Sequence, residues 1–267
     1  MKKLISTILL ASALVGTALG VSVSAAESGT NYGKVPMTDA KITIDGKKDA
    51  IYDKGLSVKI DKPLARTTKT ATATGTMKLL WNGKDTIYMY TEIKDADPII
   101  YEGTPNAWET DSLEIFFDYS NKGARARDQY RFDIKGAPTF HDGSTTFKGD
   151  DCKKYGLENW AVTTIDGGYA IEIQLKAYKE PISADMNVGF ALMINDMHKS
   201  GPQTNMIAND TDINDTAKYG FITLTGTKVT VDAAKPTGAA QTADLSVVVP
   251  MLAMMSSGAL IVLRKRK

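Results

Sequence analysis

The sequence is poor in residues that cross-link, ligate and switch. A single cysteine, Cys152, in 267 residues excludes an internal disulfide. It sits among Asp150, Asp151, Lys153 and Lys154, with no histidine beside it to make it a nucleophile. The only histidines are His141 and His198, and no Cys-x-x-Cys-His haem-attachment run exists. Net charge is lacking too: 32 Lys+Arg against 31 Asp+Glu leaves +1, so nothing points to nucleic acid. There is no internal repeat, and long uncharged apolar runs occur only at the two ends.

Those ends are informative. Lys2 and Lys3 precede an apolar run over residues 4–21, and Val23-Ser24-Ala25 or Ser24-Ala25-Ala26 supplies a small-x-small cleavage site. Residues 1–26 therefore read as a signal peptide, the alternative being an uncleaved anchor. At the other end, residues 245–263 are uncharged and are followed by Arg264-Lys265-Arg266-Lys267. About 19 residues at ~1.5 Å each span a hydrocarbon core of ~30 Å, which predicts a transmembrane helix. The basic tail, 264–267, then lies in the cytoplasm and the rest of the chain outside. Residues 227–244 are small and polar, with Pro236 and Gly238, and read as a flexible linker. The apolar run and basic tail resemble the sorting signals of Gram-positive surface proteins. Leu-Pro-x-Thr-Gly itself is absent, and Lys235-Pro236-Thr237-Gly238 is a degenerate counterpart. Retention in the membrane and transfer to the cell wall both stay open.

Between these segments lie about 200 residues, enough for one core. Short alternating runs separated by turn residues predict strands at 42–44, 77–81, 86–93, 112–118, 129–134, 160–165, 169–175, 189–194 and 219–224. Asn82-Gly83 and Asp166-Gly167-Gly168 are hairpin signals, and only 50–54 suggests a helical turn. Many strands without interleaved helices predict an all-β, antiparallel β-sandwich of jelly-roll type.

Two of these strands carry a polar face. In 112–118, Leu113, Ile115 and Phe117 share one side, while Ser112, Glu114, Phe116 and Asp118 share the other. In 129–134, Tyr130, Phe132 and Ile134 oppose Gln129, Arg131 and Asp133. Pairing of the two strands puts Glu114 and Arg131 on one face, with Trp108 just ahead. An aromatic ring beside carboxylate, guanidinium and amide groups suits a pyranose, whose C–H face stacks while its hydroxyls take charge-assisted hydrogen bonds. The competing reading is a cross-strand salt bridge on a solvated face, worth under ~1 kcal/mol.

At these residues the chain resembles family 9 carbohydrate-binding modules over residues 35–226. The matching pieces are ITIDGKKDAIY (42–52), LLWN (79–82) with TIYMY (86–90) and Lys94-Asp95, and above all NAWETDSLEIFFD (106–118). The Arg131 strand, the Gly-Gly-Tyr hairpin, Asn195-Asp196 and Lys218-Tyr219-Gly220 follow in order. The resemblance implies a β-sandwich that binds sugar chain ends, xylan or glucan fragments, in support of polysaccharide catabolism. It also implies structural calcium. Carried over, it assigns stacking to Trp108 and hydroxyl recognition to Glu114, Arg131 and Asp133. The family's second stacking tryptophan falls near Ile213, so that ring is missing here. Trp81 reads as core, and Trp160 fits either role. Asp45, Asp49, Asp196 and the acidic stretch 210–215 offer oxygens for calcium, with no set preferred over turn-forming aspartates.

The expectation is a monomeric, non-catalytic module on the outer face of the membrane or in the cell wall of a Gram-positive bacterium. Its partners are oligosaccharide or polysaccharide ends and, through the C-terminal helix, the membrane. A glycosidase using Asp111, Glu114 and Asp133 needs two carboxylates flanking one bond. A haem-binding sandwich using His141 or His198 with Met193 or Met197, and a structural domain without sugar affinity, complete the alternatives.

Overall fold

Where apolar and polar residues alternate, the chain pairs into strands. The structure is a computed structural model that describes residues 29–64, 72–99, 109–121, 128–198, 203–208 and 218–231. The predicted signal peptide and transmembrane helix, most of the linker, Trp108 and Ile213 all lie outside these. Among the described residues no helix is long and apolar enough to cross a membrane.

The strands are β1 (Asn31–Met37), β2 (Leu56–Ile60), β3 (Lys62–Pro63), β4 (Thr74–Trp81) and β5 (Thr86–Lys94). Then come β6 (Ser112–Asp118), β7 (Asp128–Asp133), β8 (Pro138–His141), β9 (Thr146–Lys148) and β10 (Leu157–Ile165). The last are β11 (Gly168–Lys176), β12 (Asn187–Asp196), β13 (Thr204–Ile207) and β14 (Gly220–Lys228). Among the described residues two short 3-10 turns interrupt them, Ala50–Lys54 and Gly149–Tyr155. The first of these meets the helical turn expected at 50–54.

Strand order runs β10-β11-β5-β4-β1-β14-β12-β6-β7-β8-β9, with β2 on β4, β13 on β12 and β3 on β13. This continuous sheet curls until its two halves face each other. Met77, Leu79, Met89 and Ile171 from one half meet Leu113, Ile115, Phe132 and Leu192 from the other in one buried cluster. The outcome is mostly β, as expected. The pairing is antiparallel except at β1, which runs parallel to β14 and, at Met37, to β4. A parallel pair needs the whole chain between its strands as crossover, and here that crossover is the domain itself.

Trp81 is 1% exposed, and its Nε1 donates to Thr225 O, which settles it as core. Trp160 is half-buried and donates to Gly136 O. The Asp166-Gly167-Gly168 hairpin joins β10 to β11. Gly167 has φ +68°, and a Cβ on Gly168 would stand 1.9 Å from Ile93 O, so both positions require glycine.

The strand expected at 42–44 is a loop. Its amides go to side chains instead of a ladder: Thr43 N donates to Asp49 Oδ2, while Asp45 N and Gly46 N both donate to Glu172 Oε2. Ile42 packs on a small outer cluster of Ile51, Tyr52, Leu80, Tyr90 and Ala170. Side-chain acceptors outcompeted a neighbouring strand. β14, between β1 and β12, continues to Lys228, and Val229 N still donates to Met37 O.

Candidate functional site

The site grows from the pairing of β6 with β7. Register places Glu114 opposite Arg131, on the one polar face that the alternation predicted for both. Arg131 donates from Nε to Glu114 Oε1 at 2.7 Å, and its terminal nitrogen lies 2.5 Å from the same oxygen. Gln129 Nε2 donates to Oε2 at 2.6 Å, and Asn195 Nδ2 on β12 donates to Oε1 at 2.8 Å. Asn195 also donates to Ser112 Oγ and accepts from Asn205 Nδ2 on β13 at 2.8 Å. The Glu114 and Arg131 side chains are 2% and 11% exposed. The pair is therefore not the solvated surface bridge that was the competing reading.

The result is a row of amide and charged groups across β13, β12, β6 and β7, at a strand spacing of about 4.8 Å. Beside it on the same face lies a small apolar cluster of Leu64, Phe116, Ala191, Met193, Ile207 and Tyr219. Buried polar groups bonded to one another are held in one geometry. Such a buried row fixes donors and acceptors next to an apolar patch, the two kinds of group that a sugar's hydroxyls and C–H face pair with.

Of the sequence-predicted residues, Glu114 and Arg131 are brought into direct contact. Asp133 lies in register with Ser112, and its Oδ1 accepts from Ala137 N, closing the turn after β7. Trp108 is outside the described residues, but the segment containing it leaves from Ile99 and returns at Thr110. Those two ends are tied together: Thr110 Oγ1 and Asp111 N both donate to Ile99 O, and Ile99 N donates to Asp111 Oδ2. Asn195 and Asn205 were not singled out as site residues. β12 is buried on both faces, so its sequence lacks the alternation that would have marked Asn195 as facing this way.

A second cluster stands at the end of the same strands. Asp95, Asp111 and Asp196 are all buried, with oxygens within 4.8 Å of one another. Calcium–oxygen bonds of ~2.3–2.6 Å place opposing ligands up to about 5 Å apart, so the spacing suits calcium. Asp95 Oδ2 is buried and has no hydrogen-bond partner, as a vacant donor atom toward a cation requires. Burial pushes the Asp111 carboxyl up to about 7, against the pull of the Ile99 and Met197 amides, with the Asp95 and Asp196 charges adding to the rise. Burial also raises Asp95. The spacing and the oxygen donors suit calcium, with Asp196 also accepting from Thr72 N, Ala73 N and the Thr204 hydroxyl. Of the earlier candidates among the described residues, Asp196 belongs here, and the acidic stretch 210–215 lies outside the described residues. Asp45 Oδ1 caps Lys47 N and Asp49 holds Thr43, both local turns.

The catalytic and haem alternatives meet obstacles in the same geometry. Asp111, just ahead of β6, and Glu114 leave the chain on opposite faces, so these two do not flank a common bond, and Asp133 is engaged by the Ala137 amide. His141 faces the Thr146 hydroxyl on the β8–β9 hairpin, and His198 faces the Thr204 hydroxyl beyond β12.

Comparison with known proteins agrees with this geometry. The family profile described as "Carbohydrate family 9 binding domain-like" matches residues 44–227. Endo-1,4-beta-xylanase A of Thermotoga neapolitana is 27% identical over 213 residues, 77% of this chain and 18% of that protein. Exoglucanase XynX of Acetivibrio thermocellus is 26% identical over 193 residues, 68% of this chain and 16% of that one. The chain thus spans under a fifth of the length of these relatives. Among solved structures, a family 9 carbohydrate-binding module from Caldicellulosiruptor kristjanssonii, in complex with cellotriose, superposes with a TM-score of 0.57. It is 19% identical and covers 77% of this chain and 100% of that one. Its glucose complex gives a TM-score of 0.55 over 75% and 99%. At that identity the likeness is one of fold.

Proposed function

Because this chain belongs to the carbohydrate family 9 binding domains, we propose that its β13–β12–β6–β7 face binds carbohydrate without cleaving it. The observation that carries the reading is Glu114, buried and held by Arg131, Gln129 and Asn195 in a row of polar groups beside an apolar patch. In this reading Arg131, Glu114 and Asp133 engage sugar hydroxyls and Trp108 stacks on the ring. The substrate class is xylan or glucan fragments. Support comes from the xylanase relatives and from the cellotriose and glucose bound by the solved modules.

Two further parts of the proposal rest on other support. Asp95, Asp111 and Asp196 hold a structural calcium ion, which would neutralise three buried carboxylates and tie β5, β6 and β12 together. The module is a monomer, exported and kept on the outer face of the membrane or in the cell wall of a Gram-positive bacterium. The terminal runs 4–21 and 245–263 and the basic residues 264–267 are the support for that placement.

The test is calorimetric titration of the full chain with cellotriose, xylotriose and glucose in the presence of calcium. Saturable binding that weakens in Trp108→Ala is the expected result. A folded chain that binds none of them overturns the reading and leaves a structural role.

A further inference from the structure

The polar row and the carboxylate cluster are two sides of the same backbone. Asn195 and Asp196 are consecutive, and so are Asp111 and Ser112; neighbouring side chains on a strand leave opposite faces. Asn195 and Ser112 form the last pair of the β12–β6 ladder. On the polar face Asn195 Nδ2 reaches Glu114 Oε1 at 2.8 Å and Ser112 Oγ at 3.0 Å. On the other face Asp111 and Asp196 meet Asp95. Beyond the last pair, Met197 N donates to Asp111 Oδ1 at 2.6 Å, so the two strand ends are closed by a carboxylate of the cluster.

A fourth group converges on the same place. Tyr169, near the start of β11, is 1% exposed and its hydroxyl has no hydrogen-bond partner. The charges that act on that phenol are Asp111, Asp95 and Asp196. β11 lies beside β5, in the half of the sandwich opposite β6 and β12. A neutral, buried and unbonded hydroxyl from the far half, within electrostatic reach of three carboxylates, is available to orient a hard cation held there.

We propose that a divalent cation held by Asp95, Asp111 and Asp196, with the Tyr169 hydroxyl, controls how tightly the opposite face binds sugar. Without the cation the crowded carboxyls hold the ends of β6 and β12 only through bonds such as Met197 N to Asp111 Oδ1, and those ends are freer to shift. With it the three groups are drawn to one centre, and Asn195 is fixed against Glu114. The inference rests on the carbohydrate reading of the Glu114 network. It adds that the calcium is a linked effector of that network as well as a brace.

The experiment is titration of the full chain with cellotriose or xylotriose in calcium chloride and again in excess EDTA, with calcium binding followed separately by calorimetry and by the thermal midpoint. Sugar affinity is expected to be about fivefold or more higher with calcium, and saturating sugar should tighten calcium binding by the same factor. Tyr169→Phe keeps the ring and removes only the hydroxyl, so it serves even if the chelated chain loses its fold. It should move the calcium midpoint of the sugar response upward by about twofold to tenfold. Equal sugar affinity in the two conditions, with calcium binding demonstrated, overturns the linkage alone. An unmoved midpoint in Tyr169→Phe removes Tyr169 from the site. No calcium binding at millimolar concentration overturns the cation site. Failure to bind either sugar in both conditions overturns the carbohydrate reading and this inference with it.

Discussion

Arg131 stands directly across the β6–β7 ladder from Glu114, and its Nε donates to Glu114 Oε1 at 2.7 Å with both side chains out of solvent. A charge pair in that position behaves differently from one in water. Removing one partner leaves the other charged and buried, which costs about 3–5 kcal/mol. Glu114→Gln should therefore lower the unfolding free energy by about 3 kcal/mol and abolish measurable sugar binding. Urea denaturation reads the first and calorimetry the second. A stability change no larger than that of a surface substitution would contradict the buried pairing.

Trp81 and Trp108 should separate stability from binding. Trp81 is buried with its indole N–H on Thr225 O, so Trp81→Ala should cost about 3–5 kcal/mol. Trp108→Ala should leave the thermal midpoint in place and weaken sugar binding by about tenfold, the worth of one stacked ring. Retained affinity in the Trp108 variant would remove it from the binding face.

Glu172 gives a pH test. It is fully buried, accepts from Asp45 N, Gly46 N and the Tyr52 hydroxyl, and burial raises its carboxyl above the ordinary 4.5. A carboxyl that holds its proton more tightly in the fold than in the unfolded chain stabilises the fold most below the unfolded value. That stability is lost as pH rises from about 4.5 through the raised folded value. Denaturant midpoints across this window should fall less steeply for Glu172→Gln than for the parent chain. Parallel slopes would show that Glu172 does not titrate there.

Cys152 is buried, and burial pushes its thiol up to about 11. The thiolate is the reactive form, so the native chain should resist thiol reagents at neutral pH until it is unfolded. Rapid labelling in the native state would be the contrary result.

The residues that revealed this fold were those with one wet and one dry face. Leu113, Ile115 and Phe117 alternate with Ser112 and Glu114, and β6 was located to its last residue. β12 had no such contrast, since nine of its ten positions are buried. Its core could be predicted, but the aim of Asn195 could not. β1 was hidden for another reason: Gly33 and Pro36 weaken its strand pattern, and its parallel pairing with β14 depends on the far end of the domain. The short β8 and β9 have too few residues to establish a period. At the site, Glu114 and Arg131 were legible from alternation. Asp95 and Asp111 were hidden as possible ligands because three distant segments must fold before they meet Asp196.

The parallel pairing of β1 with β14 also bears on force. β14 leaves the domain at Lys228, hydrogen-bonded along its length to β1 on one side and paired with β12 on the other. A pull directed along the axis of β14 therefore acts at right angles to the bonds that hold it. Those bonds are strained together instead of parting one after another from an end. If the chain is held through this strand while the neighbouring face of β12 grips a polymer, the β14–β12 ladder is loaded in shear, the direction in which a β-ladder is slowest to give way.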